Sequence, residues 1–351
     1  MGSKLFESFY GNNNTLEVCI ILFDKCNLRC RFCFEDHTQI ISCNEIKNKA
    51  DKIVPQLEEI LIKRPQINAF TFRLWGGELF MDGIADEYFE AYHQLIALLR
   101  KWCQTNNYKC EFCFSSNLVF TKIARVCTFI ESNKQDTYIA TSYDPVARFS
   151  TPLLEERWWK NIEIFKPRVI SITLTKPAIE KYISTDILDR LSKYELYPEY
   201  YIYNKDWEIY APTEEELFMF LKYCYEHEIS NIPEVTAIID SYSTPQGNGR
   251  YCFCYNSCSI IKDKLVFSCL LRSGTMNMLP EYGMTLEECY DNDNCTEKQF
   301  NIVLSRLKCL QCKHFGYCRL PCMASRMHKE VSNTKCHLKL FYEWLDNVNR
   351  T

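Results

Sequence analysis

The sequence predicts an α/β fold in which an open, barrel-like sheet is followed by a smaller, cysteine-rich domain. Short apolar runs alternate with helical segments over the first two thirds of the chain, as in parallel βαβ units. Five or six such units are present, which is too few to close an eight-stranded barrel. The composition then changes, and about half of the 21 cysteines fall in the last third of the chain.

The predicted elements follow from the periodicity of apolar residues. Short apolar runs predict strands over residues 18–23, 69–75, 109–114, 137–141, 169–174 and, more weakly, 200–203. Apolar residues at helical spacing predict helices over residues 44–63, 84–103, 121–131, 154–165, 186–191 and 213–227. Pro55 predicts a kink in the first helix, and Thr213 with Glu216 predicts a capping box at the start of the last. In barrel-like α/β folds, the loops after the strands carry the functional groups.

Composition and charge exclude several classes of protein. A formal net charge of -4 lacks the basic surplus of a nucleic-acid-binding protein. No apolar run reaches the roughly 18 residues of a membrane span, and residues 1–14 lack the apolar core of an export signal. Cysteine richness without an export signal indicates a reducing compartment and metal ligation. We therefore expect a cytoplasmic protein that binds neither nucleic acid nor a membrane.

Three cysteines directly after the first predicted strand form the most informative motif. Cys26, Cys30 and Cys33 are separated by three and then two residues. An iron-sulfur cluster normally takes four thiolates, so this loop predicts a cluster with one iron open to an outside ligand. The alternatives are buried structural cysteines, or a zinc site with His37 as its fourth ligand.

The loop, with the aromatic Phe32 before its last cysteine, resembles that of radical S-adenosylmethionine (radical SAM) enzymes. The resemblance implies a TIM-like partial (β/α)6 barrel and a [4Fe-4S] cluster whose open iron is chelated by SAM. It also implies the reaction, in which the reduced cluster cleaves SAM to methionine and a 5′-deoxyadenosyl radical that removes a hydrogen atom from the substrate. A flavodoxin- or ferredoxin-type protein would supply the electron.

A glycine-rich acidic motif follows the second predicted strand. Gly76 and Gly77 would let the backbone approach a ligand closely, and the Glu78 carboxylate would accept a hydrogen bond from a cation. The resemblance implies that this motif holds the amino group of SAM; the alternative is a plain turn. Asp144, after the fourth strand, is a candidate catalytic acid on the substrate side, or else a turn residue.

Small polar residues at the ends of the next strands are the other candidate SAM contacts. Ser116, Asn117 and Ser142 are candidates for hydrogen bonds to a ribose, with turn capping as the alternative. The resemblance implies that Ser142 contacts the ribose and that Arg148 holds the carboxylate of SAM. Arg148 in a surface ion pair is the alternative, and Thr173 is a candidate contact on the adenine side.

The C-terminal cysteines have a spacing that resembles the SPASM extension of radical SAM enzymes. The resemblance implies two auxiliary [4Fe-4S] clusters and therefore three clusters in the chain. Cys309, Cys312, Cys318 and Cys336 would bind one of them, and Cys252, Cys258, Cys269 and Cys322 the other. Cys254 is an alternative to Cys252, and zinc ribbons built from the Cys309/Cys312 and Cys318/Cys322 pairs are an alternative to both clusters.

The division of the chain follows from these motifs. We expect a radical SAM partial barrel over residues 1–241, a SPASM domain over residues 242–336 and a C-terminal helix over residues 337–351. The chain departs from the family at Lys264, where a glycine is usual five residues before the cysteine that corresponds to Cys269. A hairpin at residues 262–264 can still form, because an aspartate tolerates the turn.

The expected function is the modification of a peptide. SPASM relatives mostly act on ribosomally made peptides, so we expect a peptide maturase that installs a crosslink or another modification in a precursor peptide. The alternatives are an anaerobic sulfatase-maturing-type enzyme, a small-molecule SPASM dehydrogenase and, among non-enzymes, an iron-sulfur electron-transfer protein. Only about 15 residues precede the first strand, so we expect a separate leader-peptide-binding protein or the barrel mouth to recognise the substrate.

Overall fold

A sheet of eight strands organises the fold. The computed structural model describes residues 14–31, 33, 37–38, 40–200, 209–243, 257–261, 263–266, 304–305, 308–318 and 336–348. The strands are β1 Thr15–Phe23, β2 Ala69–Gly76, β3 Lys109–Ser115, β4 Thr137–Tyr143, β5 Val169–Leu174, β6 Leu196–Tyr200, β7 Ser257–Ile261 and β8 Lys264–Val266. Their order is β6-β5-β4-β3-β2-β1-β7-β8. The first seven strands are parallel and curl into a half-barrel, which confirms the predicted partial-barrel α/β fold.

Helices connect the strands and cover one face of the sheet. They are α1 Cys43–Lys47, α2 Lys49–Lys63, α3 Asp86–Thr105, α4 Ile123–Ser132, α5 Pro152–Phe165, α6 Lys176–Ser184, α7 Ile187–Arg190, α8 Glu214–Glu226, α9 Pro233–Ser243 and α10 His337–Val348. The first predicted helix is therefore two helices, and Pro55 lies within the second. The capping box of Thr213 and Glu216 is present at the start of α8. In the part of the chain that the structure describes, no helix is long and apolar enough to cross a bilayer.

Side chains alternate between a helix-covered face and a face that lines the interior of the half-barrel. Thr141 of β4 accepts a hydrogen bond from Trp158 of α5 at 3.2 Å, so the adjacent Ser142 points to the interior. On the interior face, Arg73 of β2 donates to Glu17 of β1 at 2.7 Å. The helix-covered core includes Leu16, Val18, Ile20, Leu22, Phe70, Phe72, Leu74, Phe112 and Phe114. The interior face is thus the polar one.

The sixth strand lies earlier in the chain than the sequence indicates. β6 is Leu196–Tyr200, whereas we predicted residues 200–203, most of which lie outside the described residues. β6 is at the end of the sheet and pairs with β5. An edge strand tolerates Pro198, which donates no backbone hydrogen bond. This proline conceals the strand in the sequence.

The predicted hairpin around Asp263 is present between β7 and β8 and docks on the barrel. β7 and β8 pair antiparallel, and Asp263 adopts a φ of 62° in the turn between them. The Asp263 carboxylate accepts hydrogen bonds from Lys49 at 2.8 Å and Lys52 at 2.5 Å, and Gln56 donates to its carbonyl at 3.0 Å. β7 also pairs with β1. Strands from both sides of the predicted domain boundary at residue 241 therefore belong to one sheet.

Candidate active site

The three cysteines of the predicted cluster loop lie directly after β1, at the carboxyl end of the sheet. None of them forms a disulfide. The backbone N–H of Cys33 donates to the carbonyl of Cys30 at 3.0 Å, and the Cys26 Sγ accepts from the N–H of Leu28 at 3.4 Å. The three cysteines therefore lie on one loop at the carboxyl end of the sheet, and their binding of a cluster stays a prediction.

Two asparagines hold this loop against the loop that follows β3. Asn117 Nδ2 donates to Asn27 Oδ1 at 2.7 Å and lies 3.5 Å from Cys26 Sγ. Asn27 Nδ2 in turn donates to the carbonyl of Val119. Asn117 was predicted to contact SAM, and the structure shows it contacting the cysteine loop. The sequence analysis did not predict a role for Asn27. Its position between the candidate ligands Cys26 and Cys30 is the feature of the sequence that could have identified it.

The two glycines after β2 allow a close backbone contact. A Cβ at Gly76 would lie 2.0 Å from the carbonyl oxygen of Phe23, and a Cβ at Gly77 would lie 2.0 Å from that of Lys25. The N–H of Gly77 donates to Phe23 at 2.7 Å, and the N–H of Glu78 donates to Lys25 at 2.9 Å. The glycines thus join this turn to the start of the cysteine loop; their contact with a ligand stays a prediction.

The Glu78 carboxylate is completely buried, and three donors converge on it. Oε1 accepts from the N–H of Phe80 and from Ser116 Oγ, both at 2.9 Å. Oε2 accepts from the N–H of Asn117 at 2.5 Å. A carboxylate has about four acceptor sites, so one remains for an incoming ammonium group. Glu78 therefore organises the loops after β2 and β3 in addition to its predicted role in SAM binding.

Burial raises the pKa of the Glu78 carboxyl from 4.5 to about 7, although its three hydrogen bonds and the charge of Arg148 oppose the shift. A carboxyl whose pKa rises on folding stabilises the protein below its unfolded pKa and loses that contribution as the pH rises through the folded one. In the metal-free protein we therefore expect this contribution to fall by roughly 3 kcal/mol between pH 4.5 and pH 7.

Urea unfolding of metal-free wild type and Glu78→Gln across this pH range measures the effect. Because the other titrating groups are common to both proteins, the difference between the two free energies of unfolding isolates Glu78. We expect wild type to lose stability relative to Glu78→Gln as the pH rises. A difference that stays constant with pH would contradict the prediction.

Arg148 and Asp144 lie in the segment after β4. Arg148 is 9% exposed and donates to Ser142 Oγ, which brings together two predicted SAM contacts. Asp144 Oδ1 accepts from the N–H groups of Val146 and Ala147 at 2.8 and 2.6 Å. Asp144 Oδ2 accepts from Thr175 Oγ1 at 3.0 Å. These are the contacts of a turn residue, the alternative left open by the sequence, and the catalytic role of Asp144 stays a prediction.

The chemistry of the cysteine loop fits an iron-sulfur cluster. Burial, reinforced by the Glu78 carboxylate, raises the pKa of the Cys26 thiol to about 12. A thiolate there needs a cationic partner, which iron supplies. Within the described ranges, no three Cys, His, Asp or Glu side chains are close enough to share one metal ion. The cluster and its zinc alternative both stay predictions.

The C-terminal cysteines are only partly described. Cys258 lies in β7, buried in the core and in register with Val18 of β1. Cys309 begins a 3-10 turn, Cys312 follows it, and Cys336 directly precedes α10. Cys318 lies after this turn, and its N–H donates to the carbonyl of His314 at 2.9 Å. The other predicted ligands in this region lie outside the described residues: Cys252 with its alternative Cys254, Cys269 and Cys322. The two auxiliary clusters stay predictions.

Asn161 of α5 supports the site from behind and was not predicted. Its Nδ2 donates to the carbonyl oxygens of Leu118 at 2.8 Å and Phe120 at 3.0 Å. Leu118 has a φ of 54°, which is unusual for a residue other than glycine. Asn161 is completely buried and shares the helical spacing of Trp158 and Ile162. A polar residue at a core position of an amphipathic helix is the signal that identifies it.

Comparison with known proteins finds similarity at the level of structure. No protein-family model and no curated protein sequence matches the chain. The structure of anSMEcpe, a radical SAM sulfatase maturase, with bound AdoMet and a Cp18Cys peptide matches with a TM-score of 0.63 and 15% identity. The match covers 95% of this chain and 98% of that one.

A second similar protein is SuiB from Streptococcus suis. Its structure bound to the precursor peptide SuiA matches with a TM-score of 0.53 and 14% identity, over 93% of this chain and 76% of that one. SuiB bound to S-adenosylmethionine matches with a TM-score of 0.52 and 15% identity, over 95% and 80% of the two chains. The chain therefore has the fold of the radical SAM enzymes, as its cysteine loop predicts.

Proposed function

We propose that the chain is a radical SAM enzyme that modifies a peptide substrate. The observation that carries the proposal is the cysteine loop after β1, held by backbone hydrogen bonds to the turn of Gly77 and Glu78. An electron carrier has no need of a buried carboxylate with one acceptor site left beside its cluster. The proposed cofactors are SAM and three [4Fe-4S] clusters, reduced by a flavodoxin- or ferredoxin-type protein.

The described residues have separate roles in this proposal. Cys26, Cys30 and Cys33 would hold the cluster, which supplies the electron for reductive cleavage of SAM. The remaining acceptor site of Glu78 would bind the ammonium group of SAM. Arg148, already beside Ser142, would bind its carboxylate, since a guanidinium matches a carboxylate with two parallel hydrogen bonds.

A peptide substrate is supported by what the similar proteins bind. SuiB binds the precursor peptide SuiA, and anSMEcpe binds a Cp18Cys peptide. We favour a peptide maturase that installs a crosslink or a related modification. A sulfatase-maturing-type enzyme is the second candidate, supported by the match to anSMEcpe over 98% of that chain against 76% for peptide-bound SuiB.

The central test is the reductive cleavage of SAM. The reconstituted and reduced protein is expected to form 5′-deoxyadenosine, measured by chromatography. Cys30→Ala is expected to lower the yield to background, because it removes one of the three thiolates that leave an iron open to SAM. Cys127→Ala in α4, which replaces a cysteine outside the loop, is the matched control. Cluster-containing wild-type protein that leaves SAM intact would support the electron-transfer alternative instead.

The substrate class is tested by mass spectrometry of candidate peptides after turnover. Loss of two hydrogens without formation of an aldehyde, which is tested by reaction with a hydrazide, indicates an oxidative crosslink, the outcome expected of a maturase. Conversion of a cysteine or serine side chain to an aldehyde indicates the sulfatase-maturing alternative. A short precursor encoded beside this gene is the first peptide to try.

A further inference from the structure

The interior face of β5 and β6 carries a carboxyl group, Glu199, next to Thr173, for which the sequence predicts a contact on the adenine side of SAM. Glu199 of β6 is the Cα partner of Thr173 of β5 in a parallel pair, so the two side chains stand next to each other on one face. Ile172 and Leu174, on either side of Thr173, are buried in the helix-covered core. Thr173 and Glu199 therefore face the interior of the half-barrel.

Neither side chain is satisfied within the described part of the chain. Thr173 is 4% exposed, and its buried Oγ1 has no hydrogen-bond partner among the described residues. Glu199 is half-buried, and no hydrogen bond or ion pair joins it to a residue that the structure describes. A buried polar group without a partner destabilises a protein by about 1–3 kcal/mol. The buried Thr173 hydroxyl and the half-buried Glu199 carboxylate, side by side, indicate a place for a ligand.

The charges around Glu199 are engaged elsewhere. Burial raises the pKa of the Glu199 carboxyl, and attraction by Arg148 and Arg73 opposes the shift. Arg73 is bound to Glu17, and Arg148 donates to Ser142. Neither guanidinium donates a hydrogen bond to Glu199. A cation placed against this carboxylate would therefore form a charge-assisted hydrogen bond that the protein itself does not provide.

We propose that Glu199 and Thr173 form a subsite for a cationic side chain, lysine or arginine, of the peptide substrate. This inference rests on the proposed function. It restricts the proposed peptide substrates to those that carry a lysine or an arginine. Glu199 binds the ammonium or guanidinium group, and the Thr173 hydroxyl accepts a second N–H of the same group. The subsite lies on the strands at the end of the sheet opposite β7 and β8. The charge of Arg148 acts both on the Glu199 carboxyl and on the Cys30 thiol of the cysteine loop. We therefore expect the subsite to select the residue that the substrate presents near SAM.

The test measures peptide binding to the reconstituted full-length chain, with S-adenosylhomocysteine in place of SAM to prevent turnover. The probes are blocked pentapeptides Ala-Ala-Xaa-Ala-Ala, in which Xaa is lysine, arginine, glutamine, methionine or glutamate. We expect the lysine and arginine peptides to bind wild type about tenfold or more tightly than the glutamine and methionine peptides, as a charge-assisted hydrogen bond predicts. Glu199→Gln, which keeps the shape, is expected to remove this preference.

Two further variants keep the test independent of one substitution. Glu199→Lys is expected to move the preference to the glutamate peptide. Thr173→Val is expected to weaken binding of the lysine peptide severalfold while the preference for cations remains, since the carboxylate is intact. Thermal unfolding of each variant shows whether it folds.

Several results would overturn the proposal. Equal affinity of wild type for cationic and neutral peptides would do so, and so would a cation preference that survives in Glu199→Gln. Weaker binding of S-adenosylhomocysteine to Glu199→Gln, with peptide preference unchanged, would assign Glu199 to the adenine instead. If wild type cleaves SAM but shows no charge preference, the subsite alone is refuted; if it does not cleave SAM, the proposed function fails.

Discussion

Gly77→Ala is expected to lose the cluster held by the cysteine loop. The new Cβ would lie 2.0 Å from the carbonyl oxygen of Lys25 and 2.4 Å from that of Asp24. Both are backbone atoms, so no side-chain rotation relieves the overlap. Either the turn after β2 or the start of the cysteine loop must shift, at a cost of about 1–3 kcal/mol or more. We expect the iron content to fall by about four atoms per chain, one [4Fe-4S] cluster.

Iron and acid-labile sulfide per reconstituted chain measure this loss, and far-UV circular dichroism shows whether the sheet persists. Gly83→Ala is the matched control, because a Cβ at Gly83 meets no atom within 4 Å. That variant is expected to keep its full iron content and its SAM cleavage. Wild-type iron content in Gly77→Ala would show that the loop does not depend on this contact.

A strand was predictable from the sequence where its pattern of apolar residues agrees with its position in the sheet. In β1, β2 and β3, the side chains that face the helices are large and apolar, and they occupy alternate positions of a short segment. This pattern is visible in the sequence. β6 contradicts this pattern because Pro198 lies in it, and only its edge position permits the proline. The pairing of β7 with β1 joins Ser257 to Glu17 across most of the chain, and no periodicity encodes such a contact.

The candidate site was predictable in its ligands but not in its supports. Cysteine spacing and the Gly-Gly-Glu motif identify groups by their chemistry, which is visible in a sequence. The role of Asn117 depends instead on its neighbours: its side chain contacts Asn27, and its backbone N–H donates to Glu78. An amide side chain serves equally well in a turn, a cap or a ligand site. Only the fold decides between these uses.

These supports connect the cysteine loop to the helical layer through a chain of hydrogen bonds. Asn161 of α5 holds the carbonyl oxygens of Leu118 and Phe120. The same loop presents Asn117 to the cysteine loop and Ser116 to Glu78. The positive φ of Leu118 is stabilised by this packing rather than by its own preference. The position of the thiols therefore depends on a residue well outside the motif that contains them.

Asn161→Asp is expected to destabilise the protein by roughly 2–4 kcal/mol and to weaken SAM binding. The aspartate has the same shape but places an oxygen where the amide N–H₂ group donated to two buried carbonyl oxygens. Both carbonyl oxygens lose their donor and lie instead against a carboxyl oxygen, which is also an acceptor. Asn106→Asp is the control: Asn106 Nδ2 donates to the carbonyl of Trp102 at 2.9 Å, but in an exposed position where water replaces the lost donor. Urea unfolding measures the stability of both variants, and equilibrium dialysis measures SAM binding. If Asn161→Asp unfolds at the same urea concentration as Asn106→Asp and binds SAM like wild type, the loop after β3 keeps its shape without α5.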